Sequence, residues 1–257
     1  MQGADMGGFT GSCKNIKWLT IFLLLAAVAG AGICCPTRGS AEPAGIKTVV
    51  IDPGHGGYDH GARGPAGSLE KSVIFQLAQI LAAALAPDCQ VVWTRTGDYQ
   101  VALTRRASVA NHHKADLFIS LHAGGSPMPG RNAWSVFYFS DPNRNAALVP
   151  EPKLQENVLT ERGLGAAVPW GLTDARLQQE SRILAECVKS QLAGSPDIGE
   201  IMVSAAALRV LEGLEMPAIV VETGTLANSG TEKQLTDPAF LTDIAGRIKQ
   251  GVDVYLT

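Results

Sequence analysis

The most informative stretch of this chain for its fold is TVVIDPGHGG at residues 48–57. They begin as a β-branched apolar run that is typical of a buried strand, and Pro53-Gly54 ends that strand at a turn. A helix is predicted at residues 70–86, where apolar side chains recur at helical spacing before Pro87. A strand, a glycine-rich loop and a helix in this order indicate the first unit of an α/β domain.

Strand and helix patterns alternate along the rest of the chain. We therefore expect a single α/β domain with a central twisted sheet of about six strands, mostly parallel or mixed, and helices on both faces. The predicted strands are residues 48–52, 90–94, 117–121, 134–139 and 218–221, and the later helices are around 103–113, at 175–192 and at 238–256.

The first 41 residues have the organisation of an export signal. Lys14 and Lys17 precede an uncharged apolar run at residues 18–33, which is shorter than the roughly 20 residues that a bilayer-spanning helix needs. Residues 39–41, Gly-Ser-Ala, fit a cleavage site made of small residues. We expect an exported protein of the periplasm or cell envelope, whose domain occupies residues 42–257. Retention of the leader as a membrane anchor, with transient membrane association, is the alternative.

Composition excludes some partners. The formal net charge is −3, and it becomes more negative without the leader, which carries more basic than acidic residues. No basic patch of the kind that nucleic-acid-binding proteins use is visible, so we expect no nucleic-acid partner. Cys89 and Cys187 are the two of five cysteines that follow the leader. They can form one disulfide in an oxidising compartment or stay separate thiols.

Residues 141–173 are irregular and rich in proline and glycine. This composition predicts a long insertion or loop beside the sheet. Its position favours the hypothesis that it covers a functional site and is moved aside by a protein activator.

Side chains that can bind a metal or carry a proton follow three of the predicted strands. They are His55, His122 and Glu222, and Glu70 opens the first helix. Carboxyl ends of strands are where sites assemble in open α/β sheets. Two histidines and one glutamate with an open fourth position are a known ligand set for catalytic zinc. We predict His55, Glu70 and His122 as ligands of one Zn²⁺ and Glu222 as the general base and acid.

Each of these signals has a structural interpretation when taken alone. The glycines around His55 are compatible with a simple tight turn, and Glu70 with a first-turn carboxylate that favours the helix dipole. A phosphate-binding loop is disfavoured because neither GxGxxG nor GxxxxGK[ST] is present. For the remaining polar candidates we predict structural roles, with salt bridges for the two arginines. These candidates are His60, His112, His113, Arg95 and Arg106.

Several short motifs occur in order from residue 49 to the end of the chain. They are Ile51-Asp52-Pro53-Gly54-His55-Gly56-Gly57, Gly61-Ala62, Glu70-Lys71, Thr94-Arg95 with Asp98, Leu103 with Arg106, Ala110-Asn111, the run of residues 115–123, and Val221-Glu222-Thr223-Gly224 with Leu226 and Asn228. In this order they resemble the zinc-dependent N-acetylmuramoyl-L-alanine amidases of the amidase 3 type.

The resemblance implies a twisted sheet flanked by helices, one zinc ion at the positions of His55, Glu70 and His122, and a catalytic glutamate at Glu222. It also implies hydrolysis of peptidoglycan, at the amide between the lactyl group of N-acetylmuramic acid and the first L-alanine of the stem peptide. Two alternatives stay open here: a catalytically silent wall-binding or regulatory relative, and a zinc peptidase that cuts within the stem.

The chain departs from the family pattern at two places. Gly124-Gly125 stands where the family usually has an asparagine after the second histidine and alanine, and Thr225 stands where an aromatic residue is usual. Neither departure removes a predicted ligand or the predicted proton carrier, so we expect activity with a possible change of substrate preference.

Overall fold

Short apolar segments form the strands of one sheet, and amphipathic segments form the helices that cover it. The computed structural model describes residues 45–124, 134–140 and 170–257, with the backbone alone at 170–174. In these residues the strands are β1 (Lys47–Pro53), β2 (Cys89–Trp93), β3 (Leu117–His122), β4 (Trp134–Phe139), β5 (Ile201–Ala206) and β6 (Ala218–Glu222), and the helices are α1 (Glu70–Leu85), α2 (Leu103–His112), α3 (Trp170–Leu192), α4 (Ser229–Leu235) and α5 (Pro238–Leu256).

The six strands form one mixed sheet in the order β2-β1-β3-β6-β4-β5. The neighbours from β2 to β6 are parallel, β4 is antiparallel to β6, and β5 is parallel to β4. This arrangement confirms the expected α/β domain with a central sheet of about six strands. Because β1, β3 and β6 are adjacent and parallel, their carboxyl ends lie side by side at one edge.

The two faces of the sheet bury different apolar sets because successive strand residues point to opposite sides. Val49 and Ile51 face a cluster that includes Leu77 of α1, Leu184 of α3 and Ile244 of α5. Residues on the other face, such as Val50 and Phe118, pack beneath α2 and a 3-10 turn at Arg209–Leu211. Helical structure therefore covers both faces, as predicted.

Two elements were not predicted individually, and one boundary was wrong. Strand β5 and helix α4 are additional to the predicted segments. Helix α3 begins at Trp170, so the predicted irregular stretch ends before residue 173. The sequence pattern missed this boundary because a proline such as Pro169 is as common just before a helix as in a loop. The rest of the predicted insertion and the predicted signal peptide lie outside the described residues, so the structure does not test their proposed roles.

Cys89 and Cys187 are separate thiols, the first buried and the second partly buried. Among the described residues no helix is both long and apolar enough to cross a membrane.

Helix α5 approaches α3 closely at Gly251. A Cβ atom added there would lie 2.5 Å from the Cα atom of Val188, whereas a Cβ at Gly246 of the same helix meets no atom within 4 Å. We expect Gly251→Ala to lower the free energy of unfolding by about 1–3 kcal/mol through overpacking. Gly246→Ala should raise it by about 0.5–1 kcal/mol through helix propensity.

Urea unfolding followed by circular dichroism measures both changes. Equal effects of the two substitutions would contradict the close helix contact.

Candidate metal centre

The carboxyl edge of the sheet brings four segments of the chain together. His122 ends β3, and Glu222 ends β6 in register beside it. The loop after β1 leaves along β3, because the N–H of Gly54 donates to the carbonyl of Leu121 at 3.0 Å. Helix α1 begins with Glu70 above this edge. His55 and Glu222 are more than 160 positions apart in the sequence, yet their segments lie at the same edge of the sheet.

His55, Glu70 and His122 form a cluster in which one ligand atom from each lies within 4.8 Å of the others. The Oε1 atom of Glu70 is 3.0 Å from Nε2 of His55 and 3.1 Å from Nδ1 of His122. The two imidazole rings meet edge to face at an interplanar angle of 76°. Both nitrogens thus converge on one carboxylate oxygen.

Glu70 is buried, and backbone donors hold both of its carboxylate oxygens. Oε1 accepts the N–H of Ala123 and Oε2 accepts the N–H of Ala62, each at 2.8 Å. Burial alone would raise the pKa of Glu70, but hydrogen bonds from His122, His55 and the Ala62 N–H outweigh it and hold the pKa well below the usual range. The carboxylate is therefore ionised at neutral pH and fixed in orientation.

Asp59 orients His55 from the opposite side of the ring. Its Oδ1 atom lies 2.9 Å from Nδ1 of His55 and accepts the N–H of Gly61 at 3.2 Å. Burial lowers the pKa of His55, but the Glu70 and Asp59 carboxylates outweigh it, so the pKa is raised. An Nδ1–H donated to Asp59 leaves Nε2 free to bind a metal, the usual arrangement for ligand histidines. Sequence reasoning missed Asp59, because loop residues follow no period that would assign its direction.

Two buried arginines support the loop that carries His55. This residue has a left-handed backbone with φ of 59°, and Arg106 Nη2 donates to its carbonyl at 2.9 Å. Arg106 Nη1 also donates to the Asp52 carboxylate at 2.6 Å, which confirms the predicted salt bridge. The prediction of a salt bridge for Arg95 is wrong, because this arginine pairs with no carboxylate among the described residues. Its guanidinium donates to backbone carbonyls instead, among them that of Gly54 at 2.9 Å, because carbonyls and no carboxylate converge on it.

The other predicted residues lie as follows. Glu222 is half-buried beside His122 and is not part of the three-residue cluster. His60 is exposed, and its backbone carbonyl accepts the N–H of Lys71. His112 and His113 are exposed and contact each other edge to face.

The cluster fits a zinc ion by its donor chemistry. Two imidazole nitrogens and one ionised carboxylate are ligands that zinc accepts, and sites with three protein ligands keep a position for water or substrate. The hydrogen bond that the His55 Nδ1–H donates to Asp59 is a second feature of such sites. The arrangement can therefore hold one divalent ion, and Glu222 lies in register beside His122 on the neighbouring strand.

Comparisons with known proteins find one family of related chains. A family model described as N-acetylmuramoyl-L-alanine amidase matches residues 49–254. The amidase AmiA of Escherichia coli strain K12 is 32% identical, over 92% of this chain and 87% of AmiA.

Solved structures give the same result. The amidase AmiC2 of Nostoc punctiforme is 29% identical with a TM-score of 0.63, covering 82% of this chain and 97% of that one. An N-acetylmuramoyl-L-alanine amidase from Clostridium difficile 630 is 27% identical with the same TM-score and the same coverage.

Removing the Asp59 carboxylate should weaken metal binding. We expect Asp59→Ala to lower the affinity for Zn²⁺ about 10- to 100-fold, because His55 loses the partner that fixes its tautomer and ring orientation. Competition with a chromogenic chelator measures this affinity without reference to activity.

Asp243→Ala on α5 is the matched control, because its side chain is 43% exposed against 48% for Asp59 and its partner is Arg247. We expect its zinc affinity to equal that of the wild type. An unchanged affinity in Asp59→Ala would refute the orienting role.

Proposed function

The chain belongs to the family of N-acetylmuramoyl-L-alanine amidases, and we propose that it hydrolyses peptidoglycan with one zinc ion held by His55, Glu70 and His122 and with Glu222 as the proton carrier. The bond that it cuts joins the lactyl group of N-acetylmuramic acid to the L-alanine of the stem peptide. The observation that carries the proposal is the convergence of three ligand atoms within 4.8 Å beside the in-register Glu222.

The bound ion would supply a Lewis acid that polarises the amide carbonyl and lowers the pKa of water. The protein's own groups make that chemistry possible. Glu70 remains an anion at neutral pH, and His55 presents Nε2 because Asp59 binds Nδ1. Backbone hydrogen bonds to Glu70 and the Asp59 contact to His55 fix these two groups before substrate arrives, so little reorganisation accompanies the reaction.

Glu222 is the proposed general base and acid. Its in-register position beside His122 and its absence from the three-residue cluster support this role. It would accept a proton as the water oxygen attacks the carbonyl carbon. It would return that proton to the nitrogen as the C–N bond breaks, which yields a lactyl carboxylate and a free L-alanyl amine.

We also propose that the protein is exported, because its substrate is the cell wall and residues 1–41 have the pattern of a signal peptide. The mass of the protein recovered from the cell envelope would test this. A chain that begins at Glu42 is expected, and an intact Met1 terminus would favour a retained leader. A protein activator and transient membrane association remain predictions from the sequence.

Loss of the Glu222 proton carrier should abolish hydrolysis while metal binding remains. We expect Glu222→Gln to lower kcat at least about 100-fold and to retain one zinc per chain. Digestion of purified sacculi followed by mass spectrometry identifies the bond, because an amidase releases peptides with a free L-alanine amino terminus. Products cut within the stem would indicate a peptidase instead.

Two controls complete this test. Glu186→Gln, on the exposed side of α3, removes the same charge away from the cluster and should leave kcat unchanged. Chelation of the wild-type protein should abolish peptide release, and one equivalent of Zn²⁺ should restore it. Full activity of Glu222→Gln, or of the chelated protein, would refute the corresponding part of the proposal.

A further inference from the structure

Ser135 is a buried serine whose hydroxyl has no hydrogen-bond partner among the described residues. It lies near the amino end of β4 and its residue is only 1% exposed. Buried hydroxyls are nearly always hydrogen-bonded, so an exception at the edge of a site calls for a functional explanation. The buried serines Ser120 and Ser181, by contrast, have partners: the Asp52 carboxylate for the first and backbone groups of Leu177 and Ala218 for the second.

The register of the sheet places Ser135 beside Glu222. The two residues are directly opposite each other in the antiparallel pair of β4 and β6. Glu222 in turn pairs with His122 on its other side. The neighbouring residues Val136 and Val221 point into the core beneath α1, α3 and α5, so Ser135 and Glu222 point together to the other face. The three polar side chains therefore form one row across adjacent strands.

We propose that Ser135 is a positioning residue for Glu222, a role that rests on the function proposed above for that glutamate. A serine hydroxyl donates one hydrogen bond, and an ionised carboxylate accepts several. Directly opposite residues have Cβ atoms roughly 5 Å apart, a separation that a side-chain rotation or one bridging water spans. The hydroxyl then holds the carboxylate in the orientation needed to receive a proton from the attacking water.

The energetic cost of the buried Ser135 hydroxyl supports the same role. A buried hydroxyl that lacks a partner destabilises the fold, and alanine at this position would remove that penalty. A serine at a position where alanine would stabilise the chain is better explained by a role in the reaction than by a contribution to folding.

The experiment compares stability with turnover in Ser135→Ala, using soluble muropeptides as substrate. We expect kcat to fall about tenfold, as for other residues that orient a reacting group, with KM changed less than twofold. The melting temperature should stay equal or rise, and the zinc content should remain one per chain. Ser181→Ala is the control for a hydroxyl that has partners, and it should lower the melting temperature while kcat per folded molecule is unchanged.

A second pair of variants separates the hydroxyl from its volume. Ser135→Thr and Ser135→Val have nearly the same shape, and only threonine keeps the hydroxyl. The threonine variant should retain a kcat several-fold above that of the valine variant. Equal kcat in this pair, wild-type kcat in Ser135→Ala, or a fall in melting temperature like that of Ser181→Ala would each overturn the proposal.

Glu222→Gln distinguishes failure of this inference from failure of the proposed function. If Glu222→Gln is inactive and Ser135→Ala is fully active, the positioning role alone is wrong. If Glu222→Gln is fully active, the assigned role of Glu222 is wrong and the role of Ser135 falls with it.

Discussion

The contacts that satisfy the buried carboxylate of Glu70 hold the site together. An ionised carboxylate leaves water only when donors replace its hydration. Here the contacts come from separate parts of the chain: the amides of Ala62 in the first loop and of Ala123 after β3 donate to the carboxylate, and nitrogens of His55 and His122 lie 3.0 and 3.1 Å from Oε1. Satisfying one charge therefore fixes the loop, the helix start and the strand end relative to one another. The geometry that favours a metal ion follows from this requirement.

A second layer of charge lies directly beneath the first. Asp52 is fully buried and accepts hydrogen bonds from Thr94, Arg106 and Ser120. Arg106 and Arg95 extend from this layer to carbonyls of the loop at Pro53, Gly54 and His55. Side chains on β1, β2, α2 and β3 or directly beside them thus hold the backbone of a loop that has little apolar surface of its own. The position of the His55 imidazole is therefore set in part by groups outside the cluster of His55, Glu70 and His122.

The sequence predicted the strands that end in His122 and Glu222 because buried parallel strands are continuous apolar runs. It did not predict β5, whose residues 201–206 are largely half-exposed and include alanines that fit a helix equally well. Helix α4 was missed because it has only seven residues, although Asn228 caps it as an asparagine should. Sequence patterns did not single out Asp59 or Ser135, because the interest of each residue depends on its neighbour in space. Patterns predict helices and strands, whereas the contacts between side chains depend on strand register and loop conformation.

His55 combines two requirements that no single amino acid meets well. Its backbone has a φ of 59°. Glycine adopts this conformation freely, whereas other residues adopt it at a conformational cost of roughly 1–2 kcal/mol. Its imidazole is the group that glycine lacks. Random substitution of this codon would therefore give opposite rankings under two selections. Glycine would be enriched when cells report only folded protein, and histidine would be enriched when the selection requires hydrolysis of peptidoglycan. Such a disagreement marks a functional position without any knowledge of the reaction.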